Sequence, residues 1–146
     1  MEDRYLFRAK RIDNGELIEG FLIFEKDRAF IAHKVCEVMN SYSKAGEEYG
    51  FGNFIEIDPS TICQCTGLRD KTGKMIWEND ILVGYLDDMF PENSTYVTVM
   101  WYRSGFCTYE SYFDNDNYDL IDKFVQDNFE VCGNIFDNPE LLEQEG

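Results

Sequence analysis

The chain has 146 residues, which fits one compact domain or a small core domain with an appended lobe. Its formal net charge of −16 argues against direct binding to nucleic acid, because lysine and arginine supply that affinity by neutralising phosphates. No apolar run approaches the roughly 20 residues that span a bilayer, and the amino terminus is acidic where a secretory signal is basic. We therefore expect a cytoplasmic protein with no membrane partner.

The composition predicts a folded chain whose thiols are free. Hydrophobic residues make up 44% of the sequence and aromatic residues 16%, well above the composition of disordered proteins. The five cysteines form an odd number in a chain without an export signal, which favours free thiols in a reducing compartment. They are Cys36, Cys63, Cys65, Cys107 and Cys132.

The amino-terminal part of the sequence predicts two hairpins. Residues 5–24 flank Asp13, Asn14 and Gly15, and Asn-Gly supplies the positive φ angles of a type I′ turn. The second hairpin pairs residues 21–24 with residues 29–32 across a polar turn. After these hairpins, residues 34–39 suit either one helical turn or a strand and stay unassigned, and residues 40–53 have the composition of an exposed loop.

Short strands follow one another from Phe54 onward. They are predicted at residues 54–57, 62–65, 81–85, 96–101, 106–109 and 129–135. A turn is expected around Gly73 and a polar surface loop at residues 86–94. Apolar residues at helical spacing predict a short helix near residues 117–127, and Pro139 stands where a second helix begins.

These elements predict a mostly β (α+β) fold with one or two short helices. The spacing of the strands favours a small, partly open, SH3-like β-barrel at residues 54–146, preceded by a β-rich lobe and loop at residues 1–53. The alternative of one continuous domain stays open.

The cysteines and the one histidine do not predict a metal or nucleophile site. Cys63 and Cys65 are separated by one residue and lack the further ligands of a structural zinc site, so paired core thiols are the better interpretation. His33 has no activating motif around it and is interpreted as a strand-end or surface residue. We predict no cofactor and no metal.

Two groups of carboxylates are candidates for a metal or catalytic site. Residues 114–119 begin like a calcium loop, but Asp119 stands in place of the invariant glycine and Val125 in place of the bidentate glutamate, which favours a solvated loop and helix cap. Asp70 and Asp80, or Glu78 and Asp80, could form an acid and base pair. Carboxylates beside glycine and asparagine in turns usually accept local backbone hydrogen bonds, so no catalytic residue is predicted.

Residues 57–82 resemble the central motif of the YopX family, small proteins carried by bacteriophages and prophages. Both ends of the chain are also similar: Arg8-Ala9 resembles the family's opening strand, and residues 132–142 resemble its closing segment. The chain departs from the pattern at Cys63 and Cys65, where family members commonly carry a small residue and an aromatic one. This departure makes a metal role at these cysteines still weaker.

The resemblance implies a genetic setting and a fold, but no biochemical activity and no catalytic residue. The motif residues are interpreted as architectural, with Thr66-Gly67 and Asp70 with Gly73 setting tight turns. The predicted structural residues are Thr66, Gly67, Asp70, Gly73, Trp77, Asp80, Gly133, Asn134 and Pro139.

The leading hypothesis is an accessory protein of a phage or prophage that acts in the cytoplasm of the host bacterium by binding a protein partner. The alternative is an acidic nucleic-acid mimic that occupies the cationic cleft of a host DNA-binding protein. A third hypothesis is a metal-assisted enzyme that uses turn carboxylates such as Asp70, Glu78 and Asp80. Homo-oligomer formation stays open.

Overall fold

The computed structural model describes residues 3–32, 54–85, 94–112 and 115–144. Contacts between residues divide the chain into two compact units, Met1–Cys65 and Thr66–Gly146. The boundary predicted at residue 53 stays a prediction, and residues 33–53, including His33 and Cys36, lie outside the described part.

The first unit is an antiparallel sheet. Its strands are β1 (Phe7–Lys10), β2 (Leu17–Glu25), β3 (Arg28–Ala32) and β4 (Phe54–Ile57), with 3₁₀ turns at Asp3–Tyr5 and Pro59–Thr61. They lie in the order β4-β3-β2-β1, and β1 also pairs with the start of β5 (Cys63–Arg69). An isolated bridge pairs Arg11, the residue after β1, with Ile57 of β4.

Side chains that alternate along these strands build the core of the first unit. Ala9, Ala29, Ile31 and Ile57 are fully buried on one face of the sheet. Their packing follows from the register, because Ala29 stands opposite Ile57 in the β3–β4 pair.

The second unit is built on a five-stranded antiparallel sheet of order β10-β9-β8-β7-β11. The strands are β7 (Asp80–Tyr85), β8 (Ser94–Tyr102), β9 (Gly105–Tyr112), β10 (Asn115–Leu120) and β11 (Phe129–Asn134). The unit also holds the later part of β5, which pairs with the short strand β6 (Met75–Trp77). One helix, α1 (Lys123–Asn128), and a 3₁₀ helix at Pro139–Gln144 complete it.

The core of the second unit lies on one face of this sheet, beneath α1. Its buried residues are Ile76, Leu82, Val97, Val99, Val125 and Phe129. The helix contributes Val125, and it begins at Asp122, whose carboxylate accepts the Val125 N–H at 3.2 Å.

The prediction of a mostly β fold with short helices is confirmed. In the described ranges the strands form two antiparallel sheets, and these do not close into a barrel. Both amino-terminal hairpins are confirmed, but the first turn is not type I′: four residues separate the hydrogen-bonded Arg11 and Glu16, and only Gly15 among them has a positive φ. The longer loop takes the place of the tight two-residue turn.

The helix predicted at residues 117–127 is wrong in its first half. Asn115–Leu120 form β10, and the helix covers only Lys123–Asn128. Ile121 and Val125 are four residues apart, as in a helix, because both pack on the core of the second unit. The loop and helix cap expected at residues 114–119 is likewise a strand from Asn115 onward, and Asp114 lies outside the described residues.

Candidate interaction surface

Asp70 lies at the centre of the hydrogen bonds made by the central motif. One carboxylate oxygen accepts the N–H groups of Thr72 and Lys74 and the Thr72 hydroxyl at 2.7–2.9 Å, and the other accepts the Val131 N–H at 2.8 Å. Burial by itself raises the pKa of Asp70, but the hydrogen bonds from Val131, Thr72 and Lys74 outweigh it, so the pKa lies below its usual value. The carboxylate therefore holds the turn at residues 70–74 against β11.

The turn at residues 70–74 is formed as predicted, and Gly73 closes it with φ +91°. The turn predicted at Thr66-Gly67 is wrong, because both residues lie within β5. Gly67 has φ +79° there. The Thr66 hydroxyl donates to the Ile76 carbonyl at 2.7 Å, so its hydrogen bond joins β5 to β6.

Trp77 and Asp80 stand on either side of the turn between β6 and β7. Asp80 is 1% exposed, and its carboxylate accepts the Trp77 N–H at 2.8 Å. Asn79 has φ +72° inside this turn and donates its N–H to the Val99 carbonyl. The turn is thereby tied to β8.

The closing segment repeats this use of polar side chains for backbone hydrogen bonds. The side-chain oxygen Oδ1 of Asn138 accepts the Asn134 N–H at 3.2 Å, and Oδ1 of Asn134 accepts the Phe136 N–H at 2.9 Å. A Cβ atom on Gly133 would lie 2.5 Å from the Asn138 side chain, so this approach needs glycine. Pro139 begins the last 3₁₀ helix.

The cysteines of the described residues are free thiols. Cys63, Cys65 and Cys107 are buried, and Cys132 is exposed. Burial raises the pKa of the Cys107 thiol, which keeps it protonated. Within the described ranges, no three side chains of His, Cys, Asp or Glu come together in a group that could hold a metal ion.

An open depression on the described surface of the second unit lies on β8, β9 and β10. It has a volume of about 510 Å³, and its lining includes Tyr102, Cys107, Tyr118, Leu120 and Asp116. Side chains alternate across a sheet, and these residues lie on the face opposite the core. We call this face the β8–β10 surface.

Aromatic rings fix the shape of the β8–β10 surface. Tyr102 and Tyr118 stack with ring centroids 3.8 Å apart and planes 9° apart, and Tyr109 lies 5.0 Å from Tyr118. The Tyr109 hydroxyl donates to Asp116 at 2.7 Å, and the Arg103 guanidinium lies 5.1 Å from the Tyr102 ring. The rings are therefore held in place by neighbours on three strands and a turn.

One edge of this surface is apolar and open to solvent. Leu120 is 61% exposed at the end of β10, whereas Cys107, its partner in the register, is buried. This surface was not predicted from the sequence, because the residues at 115–119 are mostly polar and favour a loop. The alternation of Asp116, Tyr118 and Leu120 was the signal that could have indicated a strand.

The first unit has a smaller apolar depression on the outer face of its sheet. Ile23, Phe30 and Phe54 line a volume of about 240 Å³. The register places Ile23 opposite Phe30, and an ion pair between Arg28 and Glu56 lies on the same face. Residues 33–53, which connect β3 to β4, lie outside the described part of the chain, so nothing in the structure shows what covers this depression.

The fold and the β8–β10 surface define a small, mostly β protein with an aromatic sheet face. The YopX protein family matches residues 6–143, so the chain belongs to the YopX family, and the resemblance of its central motif is confirmed. Comparison with curated proteins gives no match. No helix in the described residues is both long and apolar enough to cross a membrane.

A solved structure of similar fold comes from Enterococcus faecalis. This crystal structure is 24% identical in sequence and aligns with a TM-score of 0.51, covering 93% of the present chain and 96% of its own. At that identity the likeness shows a shared fold alone.

Proposed function

We propose that this YopX-family protein is a non-catalytic protein-binding module and that its β8–β10 surface contacts the partner. The proposal includes the setting that the family suggests, an accessory protein of a phage or prophage acting in the cytoplasm of the host bacterium. The observation that carries it is the open depression in which stacked tyrosines lie beside the exposed Leu120.

Tyrosine rings of this kind favour a binding role over a packing role. Tyr102 and Tyr118 are half-buried and lie on the face opposite the core, so their stacking adds nothing to core packing. A tyrosine offers a large contact area at a low entropic cost, because it has few rotatable bonds, and tyrosine is enriched in protein interfaces. The ring neighbours reduce that cost further by holding the rings before a partner arrives.

The acids whose ion pairs the structure gives do not support the alternative of a nucleic-acid mimic. Asp13, Glu56 and Asp127 form ion pairs with Arg11, Arg28 and Lys123 of the same chain. A phosphate mimic needs carboxylates that are free to meet a cationic cleft.

The carboxylates of the central motif do not support the hypothesis of a metal-assisted enzyme. The hydrogen bonds of Asp70 occupy both its oxygens, and Asp80 is buried beside a backbone N–H. Neither carboxylate lines one of the described open depressions.

Affinity capture from bacteria that carry the prophage or are infected by the phage tests the proposal. Leu120→Asp places a charge on the β8–β10 surface, and Phe24→Asp makes the same change at a residue of β2 that is equally exposed, 62% against 61%. We expect the parent and Phe24→Asp to capture the same partner and Leu120→Asp to lose it. Equal capture by all three proteins, or loss with Phe24→Asp alone, would contradict the proposal.

A further inference from the structure

The open edge of β10 lies beside the β8–β10 surface, and this placement suggests how a partner binds. Resting on the protein-binding function proposed above, we infer that an extended, basic segment of the partner adds to β10 as a further strand of the five-stranded sheet. In the described residues β10 pairs with β9 alone and is the last strand on its side of the sheet. Addition of a strand to a free edge is a common mode of peptide recognition.

The hydrogen-bond register shows which backbone groups of β10 point away from β9. Ile121 donates its N–H to the Phe106 carbonyl, so these opposed residues form a hydrogen-bonded pair. In an antiparallel ladder such pairs alternate with pairs whose N–H and C=O groups point outward. Counting back from Ile121, the outward groups belong to Leu120, Tyr118 and Asp116.

The same three residues carry the side chains of the depression. Asp116, Tyr118 and Leu120 line it together with Tyr102 and Cys107. A strand bound to β10 would place every second side chain on this face, next to residues that are already exposed. The outward-pointing backbone groups and the side-chain site therefore belong to one continuous surface.

Charge selects a basic segment over a second copy of this chain. Asp116 and Asp119 are both exposed, one on each face of β10, and the strand has no lysine, arginine or proline. Two copies of β10 brought edge to edge would place these carboxylates close together, and each whole chain carries a net charge of −16. Lysine or arginine in the added strand would stand beside them instead.

The apolar end of the β10 edge indicates which further side chains the bound segment needs. Leu120 is 61% exposed and the Tyr118 ring lies beside it on the same face. The segment that fits has apolar side chains towards the depression and basic side chains near Asp116 and Asp119.

Hydrogen exchange measured by NMR on the full chain tests the inference with a defined probe, an extended peptide of alternating valine and lysine. We expect saturable binding that slows exchange at the amides of Asp116, Tyr118 and Leu120. A peptide of alternating valine and glutamate should bind at least about tenfold more weakly. The same loss is expected for the valine and lysine peptide when alternate backbone nitrogens are methylated. Protection confined to other strands, equal binding of the methylated peptide, or dimerisation of the chain through β10 would overturn the inference.

A pair of variants distinguishes the contribution of the Leu120 backbone N–H to peptide binding from that of its side chain. Leu120→Pro removes an N–H that points away from β9, which an edge strand tolerates, and Leu120→Ala shortens the same side chain but keeps the N–H. We expect the peptide to bind Leu120→Ala at least about tenfold more tightly than Leu120→Pro. Equal affinities would contradict strand addition.

The two proposals fail in different ways. If Leu120→Asp loses the captured partner while the probe leaves the β10 amides unprotected, the surface binds but strand addition is wrong. If the parent and both aspartate variants capture the same proteins equally, the binding function itself fails at this surface, whatever the peptide does.

Discussion

The Asp70 carboxylate accepts the Val131 N–H at 2.8 Å, across 61 positions of the chain. Asp70→Asn replaces that acceptor with an NH₂ group if the other side-chain atom keeps its contacts with Thr72 and Lys74. Two donors then face each other, and we expect a loss of about 2–3 kcal/mol in the free energy of unfolding. Urea denaturation of the parent and Asp70→Asn measures this. An unchanged midpoint would show that the contact does not stabilise the fold.

The same carboxylate predicts a pH dependence. Because the pKa of Asp70 is lowered in the folded state, its contribution to stability is fully present above the unfolded pKa of about 4 and is lost as the pH falls through the lower folded value. The stability of the parent should therefore fall towards that of Asp70→Asn below about pH 4. Thermal unfolding of both proteins from neutral to acid pH measures the gap, and a gap that widens in acid would have the wrong sign.

Gly73 allows a separate test of backbone strain. Its φ is +91°, and a Cβ atom placed there would meet nothing within 4 Å, so substitution acts through the backbone alone. Gly73→Val should lower the free energy of unfolding by about 1–3 kcal/mol, and Gly73→Asn by less, since asparagine tolerates positive φ better than a β-branched residue does. Equal losses in thermal unfolding would point to a cause other than φ.

The buried cysteines lead to a prediction about metal content. Cys63 and Cys65 are 1% and 0% exposed in β5, where thiols behave as small apolar groups. We expect elemental analysis of the reduced protein to find no stoichiometric zinc, and the double variant Cys63→Ala with Cys65→Ala to fold. One zinc per chain, lost in the double variant, would refute this.

The sequence predicted those strands in which apolar residues alternate. Alternating apolar residues indicated the hairpins of β1 to β3 and of β8 with β9, and all of these are confirmed. Val97 and Val99, for example, both lie in the core of the second unit.

Elements that form against a neighbouring strand, without an apolar pattern of their own, were missed. The strand β6 has only three residues, too few for a periodic pattern, and forms because β5 lies beside it. Strand β10 is polar and forms against β9, where Tyr109 contacts both Asp116 and Tyr118. The β8–β10 surface could not be predicted without that pairing.

The central claim is that the family motif builds the fold while the β8–β10 surface binds the partner. The most direct test measures thermal unfolding and partner binding on the same preparations of Asp70→Ala, Asp80→Ala and Leu120→Asp. We predict that the two motif variants lose melting temperature and binding together, whereas Leu120→Asp melts like the parent and loses binding. If Asp70→Ala or Asp80→Ala melts like the parent yet abolishes binding, that residue belongs to a functional site and the account is contradicted.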